Sequence, residues 1–382
     1  MKRLFSQMRG ARGSAMLMVL IAAVCVSLLI ALGYSVIRDS IVSTKGELSM
    51  RGQVYQVAAS GIFETVSWFR SRRQQPVKVF NPKPSADVRP GEQGIVRNFM
   101  VSESSNLWGR YVVSPEFVED ISDLRGRGKK GSGIVWRIRS QGILYSNANP
   151  ALPYNQAPNK VIHRFALSTE IQRLNINPPA ASAIIAERGD QVEILEGGRL
   201  RGYESAGITV RQGTGKPIIT IPKEVTSQGS NVVQTGSPTM FSLEVTDVFG
   251  VTWRELKEVA DVLVDDVATL PADLPHMGII FIEGNAVFTQ KRPLNGGGVL
   301  IVGGDLQIAA NSNSSFSGLI YVKNNLAVDA PALISGTVIV QGSVRLQGVG
   351  DFAEIQYNKD LLSHLKQRLG QYRQTQPLIK VK

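Results

Sequence analysis

Acidic side chains recur near the turns of the last third of the chain, where paired carboxylates could cleave a glycan. Glu283, Asp305 and Asp329 are the three candidates, because a glycosidase needs two such groups at a fixed separation. Glu283 and Asp305 stand at turn positions, where polar residues are expected in any protein. Asp329 follows an ordinary alternating strand. The sequence therefore predicts a protein that is not an enzyme.

Calcium binding is a somewhat stronger candidate than catalysis. Hard oxygen ligands for calcium lie near the same turns, at Asn295, Asp305, Asn324 and Asn325. The glycine-aspartate nonapeptide of calcium-binding solenoids is absent, so these residues are interpreted as solvated turn residues. The three histidines are isolated from one another and lack the spacing that binds transition metals. They are His163, His276 and His364. No cofactor is expected.

A basic segment, LRGRGKKGSG at residues 124–133, places four cations among four glycines. A Walker phosphate loop needs Lys followed by Ser or Thr after its last glycine, whereas Gly131 is followed by Ser132 alone. The segment is interpreted as a mobile basic hairpin tip. Contact with DNA, lipid head groups or an acidic partner is the alternative.

The element that must position everything else is an apolar run at residues 14–37, SAMLMVLIAAVCVSLLIALGYSVI, without a charge or a proline. As a helix it would extend about 36 Å, against a hydrocarbon core of about 30 Å. Basic residues without an acid precede it, which predicts a cytoplasmic amino terminus and an exported remainder.

The apolar character then narrows to a stripe with spacings of three, four or seven residues, which is typical of a helix. The stripe includes Ile41, Leu48, Tyr55, Ala59, Ile62, Val66 and Phe69. No proline occurs before Pro76, so one helix is expected from about residue 14 to about residue 73. It would be on the order of 90 Å long, first apolar all round and then amphipathic.

Gly13 followed by Ser14, between a basic leader and this apolar run, resembles the cleavage site of type IV prepilins and type II secretion pseudopilins. In that family the peptidase cuts after the glycine, so the resemblance implies processing by a prepilin peptidase and retention of the helix as the assembly spine. An uncleaved membrane anchor and an ordinary secretory signal cut after Gly33 are the alternatives.

Met18 occupies the fifth position after this cut, where most major pilins have a glutamate that pairs with the amino terminus of a neighbouring subunit. PilX-type minor pilins and K-type minor pseudopilins share this departure. The residues RGQVYQVAASGIFETVSWF, from Arg51, are also similar to the PilX pattern, although Ser60 replaces its usual glutamate. The resemblance covers Gly13 to about Phe69. It implies other pilins or pseudopilins as partners.

Composition permits a large core, because 43% of the 382 residues are hydrophobic. The formal charge of +11 is mild over so long a chain and does not by itself identify DNA or anionic lipid as a ligand. The one cysteine, Cys25, lies in the apolar run. An exported protein of this size is therefore expected to have no internal disulfide.

Four segments near the end of the chain superimpose at intervals of 20, 20 and 18 residues. They are GIIFIEGNAVF from Gly278, GVLIVGGDLQI from Gly298, GLIYVKNNLAV from Gly318 and GTVIVQGSVRL from Gly336. Such units bury their apolar faces by stacking, which predicts a β-solenoid. Its core is expected at Ile280, Leu300, Ile320 and Val338. A run from Ala183 fits the template more weakly and is a candidate fifth coil.

The predicted fold class is α+β, mainly β: a long N-terminal transmembrane and amphipathic helix, an antiparallel β region and a C-terminal β-solenoid capped by a helix. A capping box at Thr252 and Glu255 predicts a helix on the flank of the coils. The expected divisions, in chain order, are a leader (1–13), a spine helix (14–73), a linker (74–94), an antiparallel region (95–182), a β-rich excursion (183–277), coils (278–357) and a capping helix with tail (358–382).

These observations favour a minor pilin-like assembly subunit of a type IV pilus or a type II secretion pseudopilus, near the filament tip, in a bacterial inner membrane. Processing would involve Gly13 and Ser14. Assembly would use one face of the spine helix, at Met18, Ile37, Ile41, Leu48, Tyr55, Ile62 and Phe69. The head could contact a surface, a polysaccharide or DNA. The alternative is an anchored solenoid that binds polysaccharide or DNA without assembling.

Overall fold

The computed structural model describes residues 48–227, 232–237, 241–348 and 350–381. Its first element is helix α1, at residues 48–71. Helical spacing of apolar residues buries one face of α1, including Val54, Ala58 and Ile62. The helix ends shortly before Pro76, in keeping with the bias of residues before proline away from helical geometry.

An antiparallel sheet follows, with the order β1-β2-β4-β5 and with β3 paired to β4. Its strands are β1 (Ile95–Ser102), β2 (Leu107–Val113), β3 (Val118–Asp120), β4 (Val135–Ser146) and β5 (Lys160–Arg173). Strand β4 has two parts, before and after Gly142. Gly142 joins them, and it carries no side chain because α1 passes directly over it.

Small residues bring α1 onto this sheet. A Cβ on Gly142 would lie 2.6 Å from the backbone nitrogen of Ala58 and 2.7 Å from the carbonyl oxygen of Val54. A Cβ on Gly61 would lie 2.2 Å from the Oγ of Ser140. At Gly142 the helix backbone and the strand therefore touch directly, whereas at Gly61 the side chain of Ser140 packs against the helix.

Most of the remaining chain forms stacked parallel coils. The strands are β6 (Ser182–Ala186), β7 (Val192–Ile194), β8 (Gly198–Arg201), β9 (Ala206–Arg211), β10 (Ile218–Ile219), β11 (Val225–Thr226), β12 (Val233–Gly236), β13 (Val262–Val264), β14 (His276–Ile282), β15 (Ala286–Phe288), β16 (Asn295–Val302), β17 (Leu306–Ile308), β18 (Ser314–Val322), β19 (Leu326–Asp329), β20 (Ala332–Val340), β21 (Val344–Gln347) and β22 (Ala353–Tyr357). They form an 11-stranded and a 6-stranded sheet, and from β14 to β21 the chain alternates between the two sheets.

The regular coils are aligned residue for residue. Gly298, Gly318 and Gly336 lie in register, with φ of 128°, 157° and 140°. A Cβ on Gly318 would lie 1.8 Å from the carbonyl oxygen of Gly298. Only glycine fits at this point of the long strand, which explains why the repeat begins with that residue.

One coil is built from two distant parts of the chain. The first half of β20 pairs with β22, whereas its second half pairs with β6. Beyond that rung, β7 to β12 extend the stack in parallel. Residues 198–236 are therefore further coils rather than an excursion. Their turns lack the glycine-first template, so the repeat alignment did not detect them.

Helices cover the outer face of the 11-stranded sheet. They are α2 (Val245–Phe249), α3 (Trp253–Glu258) and α4 (Lys359–Arg368). Both hydrogen bonds of the predicted Thr252–Glu255 capping box are present at α3. The helix is short: α3 ends at Glu258, and Leu263 already lies in β13. Leu256 of α3 and Leu365 of α4 are buried with Phe281 and Tyr321 of the sheet.

The chain then returns to the antiparallel sheet through β23 (Tyr372–Gln374) and β24 (Ile379–Val381), which both pair with β5. Arg373 contacts the region behind α3, where its Nη1 donates to the Val259 carbonyl at 2.8 Å and to Asp261 at 3.1 Å. The C-terminal segment thus connects the antiparallel sheet to the coils.

The expected fold class, with its long N-terminal transmembrane helix, is wrong for this structure. The structure is mostly β, 41% strand against 17% helix, and its helices are short. Within the described residues, no helix combines the length and apolar character needed to cross a bilayer; residues 14–47 of the predicted spine lie outside them. The expected helical cap is also misplaced, since α4 packs on the face of the coils. Its leucines pack against the apolar outer side of the 11-stranded sheet and not on the open end of the stack.

Candidate assembly interface

Several residues predicted to direct processing and assembly lie outside the described part of the chain. These are Gly13, Ser14, Met18, Ile37 and Ile41. The structure therefore describes the predicted assembly helix from Leu48 onward. One side of α1 is buried against the sheet and the other side is exposed.

The predicted stripe on α1 divides along its length. Leu48 and Tyr55 are 62% and 40% exposed, whereas Ile62 and Phe69 are fully buried. Residues seven apart in the sequence are rotated by about 20° relative to each other around a straight helix, so the stripe turns gradually along α1. Tyr55 lies at the margin of the sheet, with its ring 5.9 Å from that of Phe165. The second half of the stripe is therefore core.

An exposed aromatic residue that the stripe omits stands beside it. Phe63 is 57% exposed on the side of α1 that faces away from the sheet. It follows Ile62 directly and is therefore displaced by about 100° around the helix. The sequence could have indicated it, because Phe63 is an aromatic residue that does not follow the helical spacing of the buried residues. Together Leu48, Tyr55 and Phe63 are here called the free face of α1.

Ser60 stands where the resembling family has a glutamate. It is exposed, and its hydroxyl donates to the carbonyl of Gln56 at 2.9 Å within the helix. The neighbouring Ala58 and Gly61 are buried against the sheet. The Ala-Ala-Ser-Gly step therefore positions α1, while its one polar member points outward.

Charged groups further fix the helix on the head. Glu64 accepts a hydrogen bond from Arg97 at 2.8 Å and another from the Tyr111 hydroxyl. Burial and then this hydrogen bond raise the pKa of Tyr111 above its ordinary value. Arg70 donates through Nε to the Tyr372 carbonyl at 2.7 Å. Burial, followed by the nearby Arg373, lowers the pKa of Arg70.

The linker expected at residues 74–94 is tied to the sheet by Arg110, whose side chain is fully buried. Its Nη2 donates to both carboxylate oxygens of Glu92, at 2.7 and 2.6 Å, and its Nη1 donates to Asn98 at 2.8 Å. The guanidinium also lies 5.1 Å from the centre of the Tyr154 ring. The linker is consequently part of the head.

The predicted solenoid core residues occupy equivalent places in successive strands. Ile280 is paired with Leu300, Leu300 with Ile320 and Ile320 with Val338. All four are completely buried between the two sheets. The alternate residues of the same strands face α2, α3 and α4, so both faces of these strands are apolar.

The candidate carboxylates take part in structural contacts. Glu283 forms an ion pair with Lys257 of α3 at 2.7 Å. Asp305 accepts the backbone N–H of Asn325 at 3.0 Å from the next coil. Asp329 ends β19, in register with Gln347. These three side chains are held on different strands and turns.

Two of the proposed calcium ligands, Asp305 and Asn325, belong to a side-chain ladder along one corner of the coils, and Asn324 is exposed beside them. Asn285, Asp305 and Asn325 each accept a backbone N–H from the following coil, at 2.8 to 3.0 Å. Asn295 does the same for Ser315 at 3.0 Å. Within the described ranges, no three His, Cys, Asp or Glu side chains gather in a way that could hold a metal ion.

Two arginines of the basic segment are not free at a hairpin tip. Arg125 pairs with Glu170 at 2.6 Å, and Arg127 pairs with Glu255 of the capping box at 2.7 Å. These pairs border a polar cavity of about 380 Å³ between the antiparallel sheet and α3. Lys129 and Lys130 remain exposed. The segment thus fastens the sheet to the coil region.

Comparison with known proteins identifies no relative: no protein-family model, curated protein or solved structure matches this chain.

Proposed function

We propose that the protein is a pilin-like structural subunit of a type IV pilus or of a type II secretion pseudopilus. The observation that carries the proposal is the placement of α1. One side of this helix is fixed to the head by close contact at Gly142 and Gly61, and the opposite side exposes Phe63. A subunit that assembles through its helix needs this division between a held face and a free face.

The leader and the Gly13–Ser14 step support processing by a prepilin peptidase, with other pilins or pseudopilins as partners. The basic leader before an apolar run supports attachment to a bacterial inner membrane with an exported head. Met18 supports a place at the filament tip. A subunit without the carboxylate would leave the amine of the subunit ahead unpaired at any internal position, which is costly in an apolar setting.

Size supports the same position. The described head and coils span residues 48–381, and copies of so large a unit repeated along a filament would collide. A single copy at the end has no neighbour ahead of it. We therefore propose a low-copy subunit that helps to start assembly and presents its coils outward.

Processing is tested by mass spectrometry of the amino-terminal peptide from the native host. The proposal predicts a mature chain that begins at Ser14. Functional protein that retains Met1, or that begins near Tyr34, would contradict it. Replacement of Gly13 by leucine should leave the leader attached.

Assembly is tested with Phe63→Asp, which places a charge on the free face of α1. The head should fold normally because Phe63 is exposed, while recovery of the protein in sheared filaments should fall at least tenfold. Leu124→Asp is the matched control, since Leu124 is 70% exposed on a loop far along the chain. Equal recovery of the two variants would reject α1 as the assembly surface.

A further inference from the structure

A basic trough lies at the C-terminal end of α1. It consists of two cavities of about 460 and 290 Å³ that share Trp68 and Arg72. One wall is α1, and the other wall is the chain from Val77 to Arg97. We call this feature the Trp68 trough.

The trough is lined by more cationic side chains than carboxylates. Arg72, Arg73, Lys78 and Lys83 line it, and none of them forms an ion pair with a described residue. Lys78 donates to the Ser132 carbonyl at 2.6 Å. The carboxylate in the lining, Glu64, is already paired with Arg97 at 2.8 Å. The trough therefore has an uncompensated positive charge.

Two buried donors of the trough also lack acceptors. The indole Nε1 of Trp68 and the Nε of Arg72 are inaccessible to solvent and have no hydrogen-bond partner within the described ranges. Most buried donors in folded proteins are paired. Because both atoms are closed to solvent, a ligand in the trough would meet the exposed cations Arg73, Lys78 and Lys83 rather than these donors.

We propose that the Trp68 trough binds an acidic peptide segment of a partner protein, whose carboxylates pair with Arg72, Arg73 and Lys83. Charge complementarity across such a contact favours the correct partner and speeds association. Guanidinium groups match carboxylates well, since they can donate two parallel hydrogen bonds. This binding is a property of the folded head and does not depend on filament assembly.

The aromatic ring in the trough argues against single-stranded nucleic acid, which needs open rings for base stacking. Arg72 lies over the Trp68 ring at 4.3 Å, and Phe69 and Phe80 pack against it at 5.1 and 4.9 Å. A peptide that binds through its carboxylates needs no open ring.

The test uses the full chain in detergent and a fluorescein-labelled hexaglutamate peptide with blocked ends, at low ionic strength. Fluorescence anisotropy should show saturable binding to the wild type. Arg73→Glu/Lys83→Glu should weaken it at least tenfold. Both residues are exposed and make no ion pair, so the fold should persist.

The matched control is Lys129→Glu/Lys130→Glu, which makes the same change in net charge on an exposed loop. It should leave affinity within twofold of the wild type. Equal losses in both double variants, or no saturable binding, would overturn the proposal. So would a DNA duplex, or phosphatidylglycerol in mixed micelles, that binds more tightly than the peptide and shows the same dependence on Arg73 and Lys83.

Discussion

The coil stack and the helix-covered sheet are stabilised by contacts of very different range along the chain. In the coils, Ile280, Leu300 and Ile320 are paired at steps of 20 residues. In the sheet, the Nε of Arg70 reaches the carbonyl of Tyr372, 302 residues away. The coils are therefore a nearly local structure, whereas the sheet that holds α1 is complete only when the C-terminus arrives.

This difference should be visible in stability. Each regular coil buries its own repeat against the next, so damage to one coil should spread along the stack. The sheet depends instead on a few anchors from distant segments, such as Tyr372, whose ring lies 5.0 Å from that of Phe69. Substitutions in the two regions should thus differ in size and in pH dependence.

The largest effect is expected for Ile320→Asp, which buries an unpaired carboxylate in the middle of the stack. The free energy of unfolding should fall by about 4 kcal/mol or more. Thermal unfolding followed by circular dichroism would measure the loss. Val287→Asp is the control: Val287 is 45% exposed on β15, so its replacement should cost about 0.5 kcal/mol or less. Similar melting of Ile320→Asp and wild type would contradict the stacked core.

An intermediate effect is expected for Gly142→Ala, because the new methyl group would meet the backbone of α1 at 2.6 Å. The helix must move away from the sheet, at a cost of about 1–3 kcal/mol. Gly52→Ala is the control on α1 itself, because a Cβ on Gly52 would meet nothing within 4 Å. That change should raise stability by about 0.5–1 kcal/mol. Destabilisation by both, or by neither, would reject direct contact at Gly142.

The sequence predicts the coils better than the sheet, because the contacts of the coils join residues that are close in the sequence. Ile280 and Leu300 could be placed because their neighbours repeat the same pattern 20 residues later. Nothing near Lys160 indicates that β5 pairs with β23 and β24, and nothing near Ser182 indicates that β6 completes the rung of β22. Pairings over such distances leave no periodic signal in one sequence.

The candidate interface divides in a similar way. Helical spacing identified α1 and its apolar residues, but it did not distinguish the buried Ile62 from the exposed Tyr55. That distinction depends on where the sheet ends. The unpaired cations near Trp68 were equally invisible, because Lys83 approaches α1 only through the folded linker that Arg110 and Glu92 hold in place.

The smallest and most specific effect concerns pH and Tyr372. Its hydroxyl donates to the Gly133 carbonyl and accepts the Val77 N–H at 2.9 Å, and burial raises its pKa from 10.0 to about 12. The folded state therefore holds the phenol proton more tightly than the unfolded state. This contribution is fully present below pH 10 and is lost as the pH rises from 10 towards 12.

At pH 11 the loss should be about 1 kcal/mol. Melting temperatures of wild type and Tyr372→Phe between pH 9 and 11.5 would measure it, since the variant lacks this proton. The wild type should lose stability more steeply than the variant across that range. Parallel pH profiles would show that Tyr372 is not the buried anchor of the sheet.

The most direct test of assembly through α1 is immunogold labelling of the described head on filaments from the native host, imaged by electron microscopy. We expect one or a few gold particles at one end of a filament and none along the shaft. Particles distributed along the shaft in proportion to its length would contradict a place at the tip. Filaments without any label, beside labelled cell envelopes, would contradict assembly itself.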